Sequence, residues 1–263
     1  MANETALVGY SGFVGGNLKR RHRFDGLYNT QNIGDIAGKA YDVLVLSATD
    51  ARRWWANLHP QEDKDGIDRL LSSLEGVAAG RVVLISTIDV LPQQFPDVDE
   101  DFDPCGHENH AYGSNRLYLE GALKERFGEV CVVRLPSLFG SGLKKNVIYD
   151  LLNGNQPEKI NPLSSFQYYD LDVLWEHIEL VMRDRLPVVH LFPAPVTCAE
   201  IIDRFFPEAE ASCGGDAGPA SRYAFRTKYS NLFGGPDGYL WSREEVFRRL
   251  GLFIERYRRG EIR

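Results

Sequence analysis

The chain has 263 residues, 43% of them hydrophobic, with 37 acidic against 30 basic side chains and a formal charge of −7. That is enough apolar material for a large core, as one domain or as a domain with a smaller lobe, and it excludes a disordered chain. The negative balance, with no long basic block, removes the electrostatic case for nucleic acid or an anionic membrane surface, and no apolar run approaches the roughly 18 residues of a membrane span.

Met1-Ala2-Asn3-Glu4 lacks the basic start of a signal peptide, and Cys105, Cys131, Cys198 and Cys213 stand far apart without a CxxC pair. The sequence therefore reads as cytoplasmic, with reduced thiols and neither a disulfide frame nor a zinc site.

The first predicted elements are a strand, a turn and a helix. An apolar run, Ala6 to Val8, meets Gly9, Gly12 and Gly15, and a helix-compatible segment starts at Phe13. Gly9 allows the tight turn, Gly12 lets backbone N–H groups approach a pyrophosphate, and Gly15 lets the helix pack closely on the strand, so that an anion rests on the positive helix N-terminus. Ser11, Phe13 and Val14, between the glycines, join them as candidate cofactor contacts. The spacing is GxxGxxG rather than GxGxxG.

A second strand, Gly26 to Tyr28, ends in Asn29, Thr30, Gln31 and Asn32, where an NAD site usually places a carboxylate for the ribose hydroxyls. A carboxylate would repel a 2′-phosphate, so its absence leans towards NADP, with Asn29 as the candidate contact. Arg20, Arg21 and Arg23 are either positive charge for that phosphate or a solvated helix face. A third strand, Tyr41 to Leu46, is near-continuously apolar, as buried parallel strands are, and the small Ser47 and Ala48 after it would let a cofactor approach the sheet. Trp54 and Trp55 follow, either packing residues or pocket wall. A helix then starts within Gln61 to Asp65 and runs through Leu74.

The fourth strand, Arg81 to Ser86, presents Thr87 at its carboxyl end, where doubly wound sheets bind ligands. After a long Pro-, Asp- and Gly-rich loop, 88–110, a helix carries Tyr112 and Arg116 at i and i+4, on one face. His107 and His110 have no partners at ligand spacing and predict no metal. A fifth strand, Val130 to Leu135, precedes Lys144, Lys145 and Asn146, a helix in NVIYDLLNG, a strand around Gln167 and Tyr168, and a helix N-capped by Asp172. The remainder predicts a helix at Cys198 to Phe206, a turn-rich segment at Ser212 to Ala220, and an amphipathic helix pair from Ser242 to Arg259.

The order of these motifs resembles the extended short-chain dehydrogenases/reductases, the group of NAD-dependent sugar-nucleotide epimerases, dehydratases and reductases, through about Gly142 and more loosely beyond. The resemblance implies an α/β fold: a Rossmann-type doubly wound parallel sheet over 1–140, with 141–263 mainly a small C-terminal substrate-binding lobe whose segments partly return to the sheet. It implies Thr87, Tyr112 and Arg116 as the catalytic set, with Arg116 standing where the YxxxK motif has lysine, and places Tyr112 and Arg116 against an NAD or NADP cofactor as well. Thr87, Asp89, Lys144, Lys145, Asn146 and Gln167 would face a nucleotide sugar, with Asp89 alternatively a plain turn residue. A homodimer through the helix bearing Tyr112 is implied too.

The chemistry is physically reasonable. A tyrosine of pKa about 10 is a poor base at neutral pH, and a neighbouring cation lowers that value. Arginine supplies the charge in a planar, bulkier form than lysine. Where family dehydratases have a segment like STDEVYG this chain reads STIDVLP, so one acid for the leaving hydroxyl is lost and epimerase or reductase stands ahead of dehydratase. The expectation is an NAD(P)-dependent oxidoreductase or epimerase; the alternative is a dinucleotide-binding redox sensor or assembly subunit with little catalysis.

Overall fold

The structure is a computed structural model that describes residues 4–262. Met1, Ala2 and Asn3, on which the expectation of no signal peptide rests, lie outside them. The strands in chain order are β1 (Thr5–Val8), β2 (Gly26–Tyr28), β3 (Ala40–Leu46), β4 (Ala78–Thr87), β5 (Val130–Leu135), β6 (Ser137–Phe139), β7 (Ser165–Phe166), β8 (Tyr168–Asp170), β9 (Val188–His190) and β10 (Val196–Thr197). The helices are α1 (Phe13–Arg21), α2 (Arg53–Leu58), α3 (Pro60–Ser73), α4 (Ala111–Arg126), α5 (Val147–Asn153), α6 (Leu174–Arg183), α7 (Cys198–Phe205) and α8 (Arg243–Arg258).

Two compact units divide the chain. The first holds the described residues to Pro92 with Phe102–Leu135 and Asp172–Val189; the second holds Gln93–Asp101, Pro136–Leu171 and the described residues from His190 onward.

The first unit is built on a six-stranded parallel sheet of order β2-β1-β3-β4-β5-β9. Its central strands are runs of Val, Leu and Ile with no polar face, which only a sheet covered on both sides can bury. Val8 pairs with Leu46 and Leu46 with Leu84, so β1 and β3 end together, while β4 and β5 run on to the Thr87–Leu135 pair at the carboxyl edge. Leu44, Leu46, Leu84 and Val132 form one core with Ile67 and Leu74 and with Leu119 and Leu123 of α4. The chain steps from β1 to β2 on one side and then to β3 on the other. That reversal opens a crevice beyond the carboxyl ends of β1 and β3, the topological switch point where such sheets take ligands. This is the Rossmann-like α/β fold expected from the sequence.

The Trp54-Trp55 segment, for which the sequence predicted no element, forms its own short helix, α2, immediately before α3. Two local expectations need correction. The residue at the N-cap of α6 is Val173, not Asp172; the Asp172 carboxylate instead reaches Arg21 of α1 at 2.8 Å, beside the stacked rings of His22 and Trp175. Ser242 to Arg259 holds one helix, α8, rather than a pair. Gly251 does not break it, because five buried residues, Val246, Phe247, Leu250, Phe253 and Ile254, hold both halves to one core.

The second unit contains two small sheets, β6 with β8 and β7 with β10. Its core is aromatic: Tyr168, Tyr169, Phe192 and Phe225 are all 2% exposed or less, and the Tyr169 and Trp241 rings stack 5.2 Å apart. Among the described residues no helix is long and apolar enough to cross a membrane, and no three His, Cys, Asp or Glu side chains are grouped to hold a metal.

Candidate functional site

The turn after β1 is fixed by backbone geometry. Gly9 has φ +92°, its N–H donates to the Tyr28 carbonyl at 2.7 Å, and the Gly12 N–H donates back to the Gly9 carbonyl at 3.0 Å. A Cβ on Gly9 would lie 2.1 Å from the Ser47 oxygen, and one on Gly15 would lie 2.1 Å from the Gly9 oxygen. Both glycines are therefore demanded by packing of β1 against β3 and of α1 against the turn. At Gly12 the nearest atom would be 3.4 Å away, so that glycine is not required by crowding within the protein. It lies on the wall of a cavity of about 730 Å³ at the switch point, within the range of small-molecule sites.

Of the residues singled out for a cofactor, Gly9, Ser11, Gly12, Asn29, Ser47 and Ala48 line this cavity. Phe13, Val14 and Gly15 form the first turn of α1, whose leading N–H groups have no intrahelical acceptor and which carries no acidic residue there. Arg20 donates to Asn17 and Arg21 pairs with Asp172, whereas Arg52 and Arg69 reach the cavity wall. Trp55 is wall too, with the Arg52 guanidinium 5.0 Å over its ring, while Trp54 is 63% exposed.

A second cluster lies at the end of β4 and the start of α4. The Thr87 hydroxyl accepts from the Asp89 N–H at 3.2 Å and approaches the Asp89 carboxylate at 3.4 Å. That carboxylate is 3.0 Å from Arg53 and 3.6 Å from His110 Nε2. His110 caps α4: its Nδ1 accepts from the Gly113 N–H at 3.0 Å, which leaves Nε2 to carry the proton facing Asp89. Its ring stacks on Tyr112, centroids 6.3 Å apart, and the Tyr112 N–H donates to Asn57 of α2 at 2.9 Å. Contacts thus link Thr87, Asp89, His110 and Tyr112 in one chain.

Arg116 is 3% exposed and sits over the Tyr112 ring at 4.4 Å. Nη1 and Nη2 each donate to Asp63 at 2.9 Å, and Nη2 also to the Asp50 carbonyl at 2.6 Å; only Nε is left buried without a partner. Asp50 and Asp63 line the cavity, whereas Thr87, Tyr112 and Arg116 are not among its wall residues. Burial pushes the Tyr112 phenol above its ordinary value, outweighing the lowering by Arg116. The cation beside this tyrosine does not make it a phenolate.

The remaining singled-out residues belong to the second unit. Lys144 and Lys145 are exposed. Asn146, at φ +116°, caps α5 by accepting from the Ile148 and Tyr149 N–H groups and donates to the Leu138 carbonyl. Gln167 is 1% exposed; its Nε2 donates to the carbonyls of Pro193 and Phe225 while its Oε1 has no partner.

The sequence reading missed Arg53, Asn57 and Asp63. No local signal marks them, since Asn57 and Asp63 meet their α4 partners across 55 and 53 residues. His110 had a findable signal: it directly precedes the helix carrying Tyr112, at the N-cap, a position the usual preference for Ser, Thr, Asp or Asn obscures.

Comparison with solved structures places the whole chain. MoeE5 in complex with UDP-glucose and NAD superposes with a TM-score of 0.73 at 16% identity, over 98% of this chain and 99% of that one. The UDP-N-acetylglucosamine 4-epimerase of Methanobrevibacter ruminantium, in complex with UDP-N-acetylmuramic acid, gives 0.75 at 14% identity over the same shares. The dTDP-4-dehydrorhamnose reductase of Bacillus anthracis, in complex with NADP, gives 0.72 at 16% identity over 97% and 98%. The chain shares their fold. No protein-family model matches it, and no curated protein matches its sequence.

Proposed function

We propose that this chain binds a nicotinamide dinucleotide in the switch-point cavity and acts as an oxidoreductase or epimerase on a nucleotide-activated sugar. The observation that carries the reading is the glycine turn, in which packing demands Gly9 and Gly15 while Gly12 fronts the cavity. These residues fit the group. Gly9, Ser11 and Gly12, with the N–H groups at the start of α1, would hold its diphosphate; Asn29 would meet the adenosine ribose, and Ser47 and Ala48 would flank the sheet side. The end of β2 offers Asn29 and Thr30 rather than a carboxylate, which favours NADP over NAD.

When bound, such a dinucleotide exchanges a hydride with a carbinol or carbonyl carbon. Tyr112 then moves the proton on the substrate oxygen, Thr87 orients that oxygen through its hydroxyl, and Arg116 braces the tyrosine ring. Asp89, engaged by Arg53 and next to His110, supports epimerase or reductase over dehydratase, which needs a carboxyl free to protonate a leaving hydroxyl. The solved structures with UDP-sugars support a nucleotide sugar, for which Lys144 and Lys145 are the candidate phosphate contacts and Asn146 and Gln167 the further candidates. Association of two chains through α4 belongs to the same reading and is measured by light scattering.

Calorimetric titration with NAD, NADH, NADP and NADPH, with and without a panel of nucleotide sugars, tests it. Tight binding of one dinucleotide, strengthened by one sugar, is expected, with turnover that Tyr112→Phe abolishes while binding survives. Absence of binding by all four would sink the reading.

One observation favours a second reading. The Arg116 charge is closed by Asp63, so a dinucleotide-binding sensor or assembly subunit without turnover fits the same cavity. It predicts the same calorimetry and no substrate conversion with any sugar.

A further inference from the structure

The surroundings of Arg116 decide what its charge can do for Tyr112. Arg116 and Asp63 are 3% and 4% exposed and joined by two bonds of 2.9 Å, so their charges compensate each other at contact distance in a poorly solvated place. Asn115 adds a 2.9 Å bond to the same carboxylate. What faces Tyr112 is therefore a guanidinium whose Nη groups are taken up by Asp63 and the Asp50 carbonyl, with only Nε left over.

The other groups around the ring do not supply the missing charge. On its own helix the neighbour is His110, whose Nδ1 is an acceptor and whose proton faces Asp89. From the turn after β4 comes Asp89, an anion paired with Arg53 of α2. From α2 comes the neutral Asn57, on the Tyr112 N–H, and from α3 comes Asp63 itself. Among the described residues, the cations named around a phenolate here, Arg53 and Arg116, are each already paired with a carboxylate.

We propose that Asp63 is a positioning residue that sets the direction of the chemistry: by holding Arg116 in a closed pair it keeps Tyr112 a neutral phenol at rest, an acid for a carbonyl oxygen rather than a base for an alcohol. The inference rests on the dinucleotide reading above and narrows it to a reductase of a keto group on the sugar. In the step, the carbonyl carbon gains a C–H bond by accepting a hydride from a reduced nicotinamide dinucleotide, whose own C–H bond breaks. The π electrons of the C=O bond move to oxygen, which takes the proton of Tyr112 Oη. The substrate is reduced by two electrons to a secondary alcohol, the dinucleotide is oxidised by two, and the phenolate regains its proton from solvent. An epimerase begins with the reverse step and needs the phenolate first.

The test is an ultraviolet titration of tyrosinate on the full chain without added dinucleotide. Each variant is compared with the same variant carrying Tyr112→Phe, which isolates one ring among the 12 tyrosines. Asp63→Asn is expected to lower the Tyr112 titration by at least one pH unit, a tenfold gain in phenolate at a given pH, and Arg116→Gln to raise it. The double variant D63N/R116Q, which removes both charges together, is expected to titrate within half a unit of the parent. A purely structural role would move both single variants towards the ordinary value near 10, and that result, or no shift in D63N, overturns the inference.

If circular dichroism shows D63N unfolded, R116Q against D63N/R116Q carries the same test, with the single variant titrating higher; equal titration overturns the inference. Calorimetry on the same samples separates the two claims. Absence of dinucleotide binding removes the functional reading, whereas binding with an unshifted Tyr112 removes this inference alone.

Discussion

At the scale of single residues, the site depends on atoms that are absent as much as on those present. Gly15 has no room for a methyl group, because the Gly9 carbonyl occupies the place of its Cβ. Gly15→Ala is therefore expected to push α1 off the turn, destabilising the chain by about 1–3 kcal/mol as overpacking does and abolishing dinucleotide binding. Chemical denaturation and calorimetry measure the two effects. Gly12→Ala, whose Cβ would meet its nearest atom at an ordinary contact distance of 3.4 Å, should stay close to parental stability and lose binding, so the pair separates packing from ligand contact. Parental binding by both alanine variants would show that the turn is structural. Tyr112 is legible from the sequence by its i, i+4 relation to Arg116, but its protonation is not, because burial and the Asp63 partner of Arg116 decide it.

At the scale of elements, α4 is held on two sides by buried ion pairs one turn apart. Arg116 ties it to α3, and Glu120, 1% exposed, ties it to β5 through Arg134 at 2.7 Å, with the Ser86 hydroxyl donating to the same carboxylate at 2.5 Å. Removing one member strands a buried charge. Glu120→Gln is expected to cost about 3–5 kcal/mol in urea denaturation, whereas the double variant E120Q/R134M should recover most of the loss. A loss no larger than that of an exposed substitution would count against this bracing.

The start of α7 has a different device, a capping box between Thr197 and Glu200. Burial pushes the Glu200 carboxyl up, but bonds from the Thr197 hydroxyl and N–H and from Arg243 outweigh it and bring it to about 2. A depressed folded value contributes stability that is full above the ordinary value of about 4.5 and is lost as pH falls through about 2. Thr197→Ala is expected to cost about 1 kcal/mol at neutral pH and to flatten the acid limb of the stability profile between those values. Melting temperatures at stepped pH, parent against variant, check both.

At the scale of the whole molecule, a ligand that binds only the folded chain must raise its stability by mass action. At one hundred times its dissociation constant the preferred dinucleotide adds about 2.7 kcal/mol, which shifts the melting temperature by several degrees. NADP and NADPH are expected to give the larger shift, because no carboxylate stands at the end of β2 to take the ribose hydroxyls or repel a 2′-phosphate. A larger shift with NAD would reverse that preference and direct attention to the acidic groups across the cavity, among them Glu62.

The sequence by itself determined the sheet class, the glycine turn, the strand-end Thr87 and the helix carrying Tyr112 and Arg116. These are local statements: apolar runs of strand length, glycines at fixed spacing, and two residues on one helix face are set by neighbours a few positions apart. Tertiary structure alone decided which partners those residues meet. Asp63 reaches Arg116 across 53 residues and Asn57 reaches Tyr112 across 55, because α2, α3 and α4 pack on one another. The sign of the Tyr112 shift follows from that packing, since burial and a compensated cation are properties of the assembled core and leave no periodic trace in the chain.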